Sequence, residues 1–419
     1  MPRLRACSTR RTSAITPDPS TQMRPVLALF VFVDACGWQI VKDDPFVGFA
    51  APYRHRLRSV FGYSSACIPS ILSGRYPDEH RNWSYFVFDP VNSPFRSFRW
   101  LHWIPSALTS RRRVRNVLSA WVKRKLGFSG YFDLYNMPFS EIADFDFTEK
   151  KSPLKPRGMN SGINIFDHLE GRHIPYHVSE PRRGEEENLQ ALIADIERES
   201  IDFAFLYWPE LDGLMHRVGN DSPEVPRKLR SYEERIDRLL ERARQHYADV
   251  RLYVFSDHGM ANCTRHIDLR ARINQLPLKK GKDYAVVYDS TMARFWFFSD
   301  DARLRITACL RLVREGRILS DDELAKLGTL FTDRYFGQLI FLLDEGVLIV
   351  PSHMGQRPIH AMHGYHPDAI HSYASLMTNQ PNVPAGVEAI PDMYRLMVSE
   401  AEAAHAANRV ASPAPLLAG

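Results

Sequence analysis

Cysteine is scarce in this chain. There are five in 419 residues (Cys7, Cys36, Cys67, Cys263 and Cys309), scattered, odd in number and without a CxxC pair. That excludes a disulfide framework and leads us to expect a reducing, cytoplasmic compartment. Long apolar runs are missing too. The longest, Val26–Val33, is far short of the ~20 residues of a membrane helix and ends in Asp34, so it reads as a buried strand. No internal repeat is present, which excludes a solenoid. Nor is there a broad excess of charge. The net charge is +5, of which residues 1–24 hold +4 (five Arg against Asp18). A nucleic-acid polymer is therefore not an expected partner. The hydrophobic fraction of 44 % and charged fraction of 25 % are those of a globular protein, not of a disordered, collagen-like or coiled-coil chain.

The length allows two or three domains, or one large domain with insertions. Strand-like runs alternate with helical patterns. Val26–Val33, Phe203–Trp208 and Leu252–Phe255 read as strands. Glu187–Glu199 places Leu189, Leu192, Ile193 and Ile196 on one helical face, and residues 229–247 read as a further helix. The expected fold is α/β, a central mostly parallel sheet sandwiched by helices, with two insertions. Residues 1–22 read as a disordered basic tail, and Met23 stands just ahead of the first strand. The catalytic domain is expected over 23–400 and a flexible tail over 401–419. One insertion, 81–160, is aromatic and basic (Trp83 to Trp103, then Arg111 to Lys125) and reads as a lid. The other, 272–350, reads as a small cap.

Ligand-capable residues gather at strand ends, where sites form in open α/β sheets. Asp34 ends the first strand, and a carboxylate there is costly unless paired or bound to a cation. Asp257 and His258 follow the strand Leu252–Phe255. Asp212 and His216 lie four apart and share a helical face. His363 sits among His360, His366 and His371. The run Gly62 to Gly74 leads into a short helix, and a hydroxyl at a helix start meets free N–H groups and a positive dipole end. Each feature alone has an ordinary reading: a solvated Asp-His pair, an exposed His, an N-cap serine.

Their order in the chain resembles the alkaline phosphatase superfamily, most closely its type I phosphodiesterase / nucleotide pyrophosphatase branch. The segment Ser73-Gly74-Arg75-Tyr76-Pro77-Asp78-Glu79-His80 is similar to the branch's Thr-Gly-x-Tyr-Pro-Glu-x-His, and its nucleophile lies ten residues before that glycine, which gives Ser64. The resemblance implies a hydrolase with two divalent metals. Asp34, Asp257 and His258, with Ser64, would hold one. Asp212, His216 and His363 would hold the other. An all-N/O donor set suits zinc and admits manganese or iron. The chain departs from the branch where His80-Arg81 stands for its frequent His-Gly, and at three places around the nucleophile. Ser64 stands for its Thr, Ala66 for its Pro and Cys67 for an Asn that helps hold a phosphoryl oxygen. Pro69 favours a helix beginning after Ser64, which keeps Ser65 and Cys67 as further nucleophile candidates. Cys67-x-Pro69-Ser70 is also similar to the sulfatase signature, but Ile71 replaces its Arg and the spacing to Gly74 is seven, not ten.

The expected reaction is cleavage of a phosphodiester or pyrophosphate bond through a phospho-seryl intermediate. The alternatives are a phosphomonoesterase or phosphoryl-group transferase on the same site, a sulfatase, and a binding protein that retains the fold. The expected substrate is a small phosphodiester or nucleotide-like molecule. Stretch 83–125 could stack a base, lie against a membrane surface through its basic and apolar residues, or simply be a buried aromatic cluster. Arg294 is a candidate phosphate contact or one half of a structural salt bridge.

Overall fold

The computed structural model describes residues 23–103, 111–383 and 386–411; the expected tail 1–22 lies outside them. Its central sheet has six strands, in the order Tyr53–Leu57, Ala374–Thr378, Tyr247–Phe255, Arg24–Val33, Phe203–Trp208, Tyr176–Val178. The last four are mutually parallel, and Ala374–Thr378 is antiparallel to both its neighbours. The strand Arg24–Val33 is apolar from Val26 onward because both of its faces are covered. Leu27, Leu29, Val31 and Val33 pack with Leu192, Leu211 and Tyr232, so the helices Glu185–Glu197, Glu210–Val218 and Glu224–His246 cover one face. Ala28, Phe30 and Phe32 pack with Ile71, Phe166 and Met397, so Ser64–Ser73, Ile165–Gly171 and Asp392–Ala411 cover the other. The three expected strands and both expected helices are present, with ends shifted by up to five residues.

The C-terminal expectation needs correction. Residues 401–411 are not a loose tail but the end of the helix Asp392–Ala411, which buries Ala401, Ala404 and Asn408. Asn408 fastens it to the sheet, accepting from Val26 N–H at 2.9 Å and donating to Val26 O at 2.8 Å.

Both insertions are compact. Segment 272–350 contains an antiparallel sheet in the order Tyr284–Tyr288, Met292–Phe297, Leu339–Leu343, Gly316–Ile318. Segment 81–160 pairs Phe86–Phe88 with Phe145–Phe147 and carries the 3-10 helix Arg96–Trp103 and the helix Arg112–Leu126. The two share an apolar cluster that includes Trp83, Phe132, Val287 and Phe336. Among the described residues no helix is long and apolar enough to cross a membrane.

Candidate active site

Three parallel strands deliver the acids to one edge of the sheet. Asp34 follows Arg24–Val33, and Asp257 and His258 follow Tyr247–Phe255. Asp212 and His216 lie on the helix that begins two residues after Phe203–Trp208. The loops carrying Asp34 and Asp257 touch backbone to backbone, since a Cβ on Gly37 would lie 2.2 Å from the Gly259 Cα. Only glycine permits that approach. Ala35, next to Asp34, has a φ of 60°, a left-handed conformation that costs a non-glycine residue roughly 1–2 kcal/mol. The strain sits beside the candidate ligand, where such costs gather in functional sites.

Each carboxylate has one oxygen anchored and the other left over. Asp257 Oδ1 accepts from the N–H groups of Ala35 (3.2 Å) and His258 (3.0 Å). Asp34 Oδ2 accepts from the Tyr207 hydroxyl at 2.6 Å. Asp257 Oδ2, Asp34 Oδ1, Asp212 Oδ1 and His363 Nδ1 are buried without a hydrogen-bond partner, half of the eight such atoms among the described residues. Orphaned buried acceptors are costly, and their concentration here fits a cation-binding cradle. Donor atoms of Asp34, Asp257 and His258 lie within 4.8 Å of one another, as do those of Asp212, His258 and His363. His258 therefore stands between the two groups. His216 joins through Asp212, its Nε2 3.3 Å from Oδ2. His216 Nδ1 donates to Ala361 O at 2.8 Å and His258 Nδ1 to Gly259 O at 3.0 Å. That pattern turns both Nε2 atoms toward the acids, His216 toward Asp212 and His258 to 3.1 Å from Asp257 Oδ2, the orientation a ligand bond needs.

The titration behaviour shows how strained the charges are. Burial, then Asp257 and Asp212, hold the Asp34 carboxyl well above the ordinary range. Burial opposes the charge on His258, but Asp257 and Asp34 outweigh it and raise the imidazole to about 9. Burial also opposes charge on Asp212, where His216 wins and holds the carboxyl below its usual range. Burial, then His258, push His363 well below the ordinary histidine value. Of the neighbouring histidines, His371 pairs with Glu345, His366 faces Glu323 and His360 is exposed. Only His363 joins the group.

Ser64 is the first residue of the helix Ser64–Ser73. Its Oγ lies 3.0 Å from His258 Nε2. The expectation of a later helix start is corrected. Pro69 lies inside the helix, where it removes only one ladder bond, and its carbonyl accepts from Ser73 Oγ at 2.7 Å. The other two candidates face elsewhere. Ser65 Oγ donates to Trp83 O at 2.8 Å. Cys67 is fully buried among core residues, and burial pushes its thiol up. His80 explains the segment after Gly74. It is buried, burial lowers it to about 3, and its neutral ring contacts Ser70 Oγ at 2.9 Å. It thus pins the helix that presents Ser64.

Arg294 does not reach the site as a phosphate contact. It is wholly buried, paired with Asp289 at 2.8 Å and donating to Ser84 Oγ (2.9 Å) and Phe86 O (2.7 Å). The structural salt bridge is the reading that holds, and it ties one insertion to the other.

Several functional positions escape sequence reasoning. Tyr207 orients Asp34, and only its place near the end of Phe203–Trp208 hinted at it. Glu185, buried, accepts from Glu210 N–H at 2.8 Å and from Tyr232 at 2.6 Å. It therefore caps from outside the helix that carries Asp212 and His216, which has no side-chain cap of its own. The ligand cluster floors a cavity of about 690 Å³. Tyr85, Tyr131 and Tyr135 line one wall with Glu149, Lys123 and Arg182. The Tyr85 ring stacks on Tyr135 at 5.7 Å.

Comparison with known proteins finds the same fold elsewhere. Murine ectonucleotide pyrophosphatase / phosphodiesterase 5 superposes with a TM-score of 0.65 at 16 % identity, over 90 % of this chain and 95 % of that one. An inactive variant of the murine protein in complex with AMP gives 0.64 at 15 %, over 91 % and 95 %. The human counterpart gives 0.63 at 13 %, over 90 % and 95 %. These likenesses show a shared fold. The sequence profile of type I phosphodiesterase / nucleotide pyrophosphatase matches residues 30–366. With most of its length matched in this way, the chain belongs to the type I phosphodiesterase / nucleotide pyrophosphatase family.

Proposed function

We propose that this chain is a metal-dependent hydrolase that cleaves a phosphodiester or pyrophosphate bond in a small, nucleotide-like molecule. The observation that carries the reading is the gathering of unpartnered carboxylate oxygens around His258, whose Nε2 lies 3.0 Å from the Ser64 hydroxyl. Asp34, Asp257 and His258 would hold one divalent ion beside Ser64, and Asp212, His216 and His363 the other, with zinc the best match to these donors. Such ions lower the pKa of a bound hydroxyl and stabilise the leaving oxygen.

The chain's own groups supply the rest. Ser64 Oγ forms a bond to phosphorus while the ester oxygen leaves. Water then breaks the Ser64–phosphorus bond and restores the hydroxyl. The start of the ten-residue helix Ser64–Ser73 presents N–H groups and a positive dipole end to the phosphoryl oxygens, in place of the asparagine this chain lacks. Tyr207 and the Ala35 N–H fix the two acids beside Ser64. A cavity of about 690 Å³ has room for a nucleotide-sized ligand, and its tyrosine wall offers a face for a base. The AMP complex of the murine relative supports that substrate class. The reading includes a reducing, cytoplasmic location, on the ground of the few and scattered cysteines of the sequence alone.

Hydrolysis of bis-p-nitrophenyl phosphate beside p-nitrophenyl phosphate, with zinc or manganese, tests the reading. The diester is expected to be the better substrate, and chelation is expected to stop its turnover. A preference for the monoester would move the chain to the phosphatase alternative, and no turnover of either would favour the transferase or binding reading.

A further inference from the structure

Between Pro90 and Phe132 the chain has no Asp or Glu, but it has Arg96, Arg99, Arg111, Arg112, Arg113, Arg115, Lys123, Arg124 and Lys125. The described part of this segment also displays large apolar side chains to solvent. Trp103 is 79 % exposed, Val117 69 %, Trp100 50 % and Trp121 38 %. They lie together. Trp100 and Trp103 are three apart on the 3-10 helix Arg96–Trp103, where such side chains eclipse. Val117 and Trp121 are four apart on Arg112–Leu126 and share a face. The Trp100 and Trp121 rings meet edge to face at 6.2 Å.

Helical geometry sorts the residues of Arg112–Leu126. Arg115, Ser119 and Val122 are buried. Arg112 and Lys123 line the cavity. At 100° per residue, Val117 and Trp121 point away from both groups, with Arg113 and Arg124 beside them, next to Val117. Neither Arg113 nor Arg124 has an acidic partner among the described residues. Tryptophans that are apolar in body and polar at one edge, set among unpaired cations, suit the interface of a bilayer with anionic headgroups. A nucleic acid would use the same cations, but it gives no reason to expose Val117.

We propose that the face formed by Trp100, Trp103, Val117 and Trp121, with Arg113 and Arg124, docks on the surface of an anionic lipid bilayer. The docking face lies on the side of this helix opposite Arg112 and Lys123, so the cavity stays clear of the bilayer. The inference stands apart from the proposed reaction, since vesicle binding needs no catalysis.

Co-sedimentation of the full chain with phosphatidylcholine vesicles, with and without phosphatidylserine, tests it. Binding is expected only with phosphatidylserine and is expected to weaken as salt is raised. Arg113→Glu with Arg124→Glu, and separately Trp103→Ala with Val117→Ser, are expected to weaken it by about tenfold or more. Hydrolysis of bis-p-nitrophenyl phosphate is expected to be unchanged in both variants, which shows that they fold. Three results would overturn the proposal: no binding of the wild type to phosphatidylserine vesicles, binding indifferent to both variants, or tighter retention of a single-stranded oligonucleotide with the same dependence on the variants.

Discussion

Replacing Ser64 with alanine is expected to lower diester turnover by about a thousandfold or more while metal content and folding stay close to wild type. A loss of that size is roughly 4 kcal/mol of transition-state stabilisation. The serine contributes little to stability. Its Oγ makes one contact, with His258 Nε2 at 3.0 Å, in a half-buried position, worth about 1 kcal/mol. The two acids and the histidine beside it hold their positions through other bonds. Asp257 is anchored by two N–H groups and Asp34 by Tyr207. Ser64 is therefore separable from the cradle, and activity assays paired with metal analysis would show it. Ser65→Ala serves as a comparison, because its hydroxyl is engaged by Trp83 O. Activity surviving in Ser64→Ala but lost in Ser65→Ala would reassign the nucleophile.

The second large effect concerns Asp34. Burial and two neighbouring acids hold its carboxyl well above the ordinary range. The folded, metal-free protein thus binds this proton more tightly than the unfolded chain, whose aspartates titrate near ~3.9. Its contribution to stability falls as pH rises above that value and is lowest once the carboxyl ionises. His258 works in the same direction. Raised to about 9 in the folded state, it stabilises fully below the unfolded histidine pKa of ~6.5, and that contribution is lost as pH rises through the folded value. The metal-free protein is therefore expected to melt at lower temperature as pH is raised from neutral toward alkaline. Asp34→Asn removes the buried charge while keeping an acceptor for Tyr207. It is expected to raise the metal-free Tm at neutral pH by roughly 1–3 °C and to abolish turnover. Zinc is expected to raise the Tm of wild type and to do so far less in the variant. Thermal melts with and without zinc across pH would check both signs. A variant that melts below metal-free wild type would show that Asp34 is a stabilising acid rather than a strained ligand.

Most of the site was legible in the chain because its residues sit where the elements end. Apolar runs halt at Asp34 and just before Asp257, and an i, i+4 pair needs only one helical turn to bring Asp212 beside His216. What escaped was set by contacts distant in sequence. Pro69 argued locally against a helix start at Ser64, yet the pinning of Ser70 by His80 and the packing of Ile71 and Leu72 favour the longer helix. Arg294 resembled a ligand-binding arginine until the folding of both insertions enclosed it with Asp289 and Ser84. The C-terminal segment looked frayed because alanine gives little periodic signal, but small residues are what allow the helix Asp392–Ala411 to lie close on the sheet strand Arg24–Val33. Tyr207 and Glu185 act through partners far along the chain, and only the place of Tyr207 near a strand end marks either of them.

In the proposed function, Asp34, Asp257, His258, Asp212, His216 and His363 build two adjacent cation sites. The decisive measurement is the metal content of the purified protein after equilibration with zinc and removal of excess ion. Two tightly held equivalents per chain are expected, with content falling in Asp257→Asn and in His363→Ala. A wild-type chain that retains no zinc, manganese or iron under any of these conditions would contradict that function.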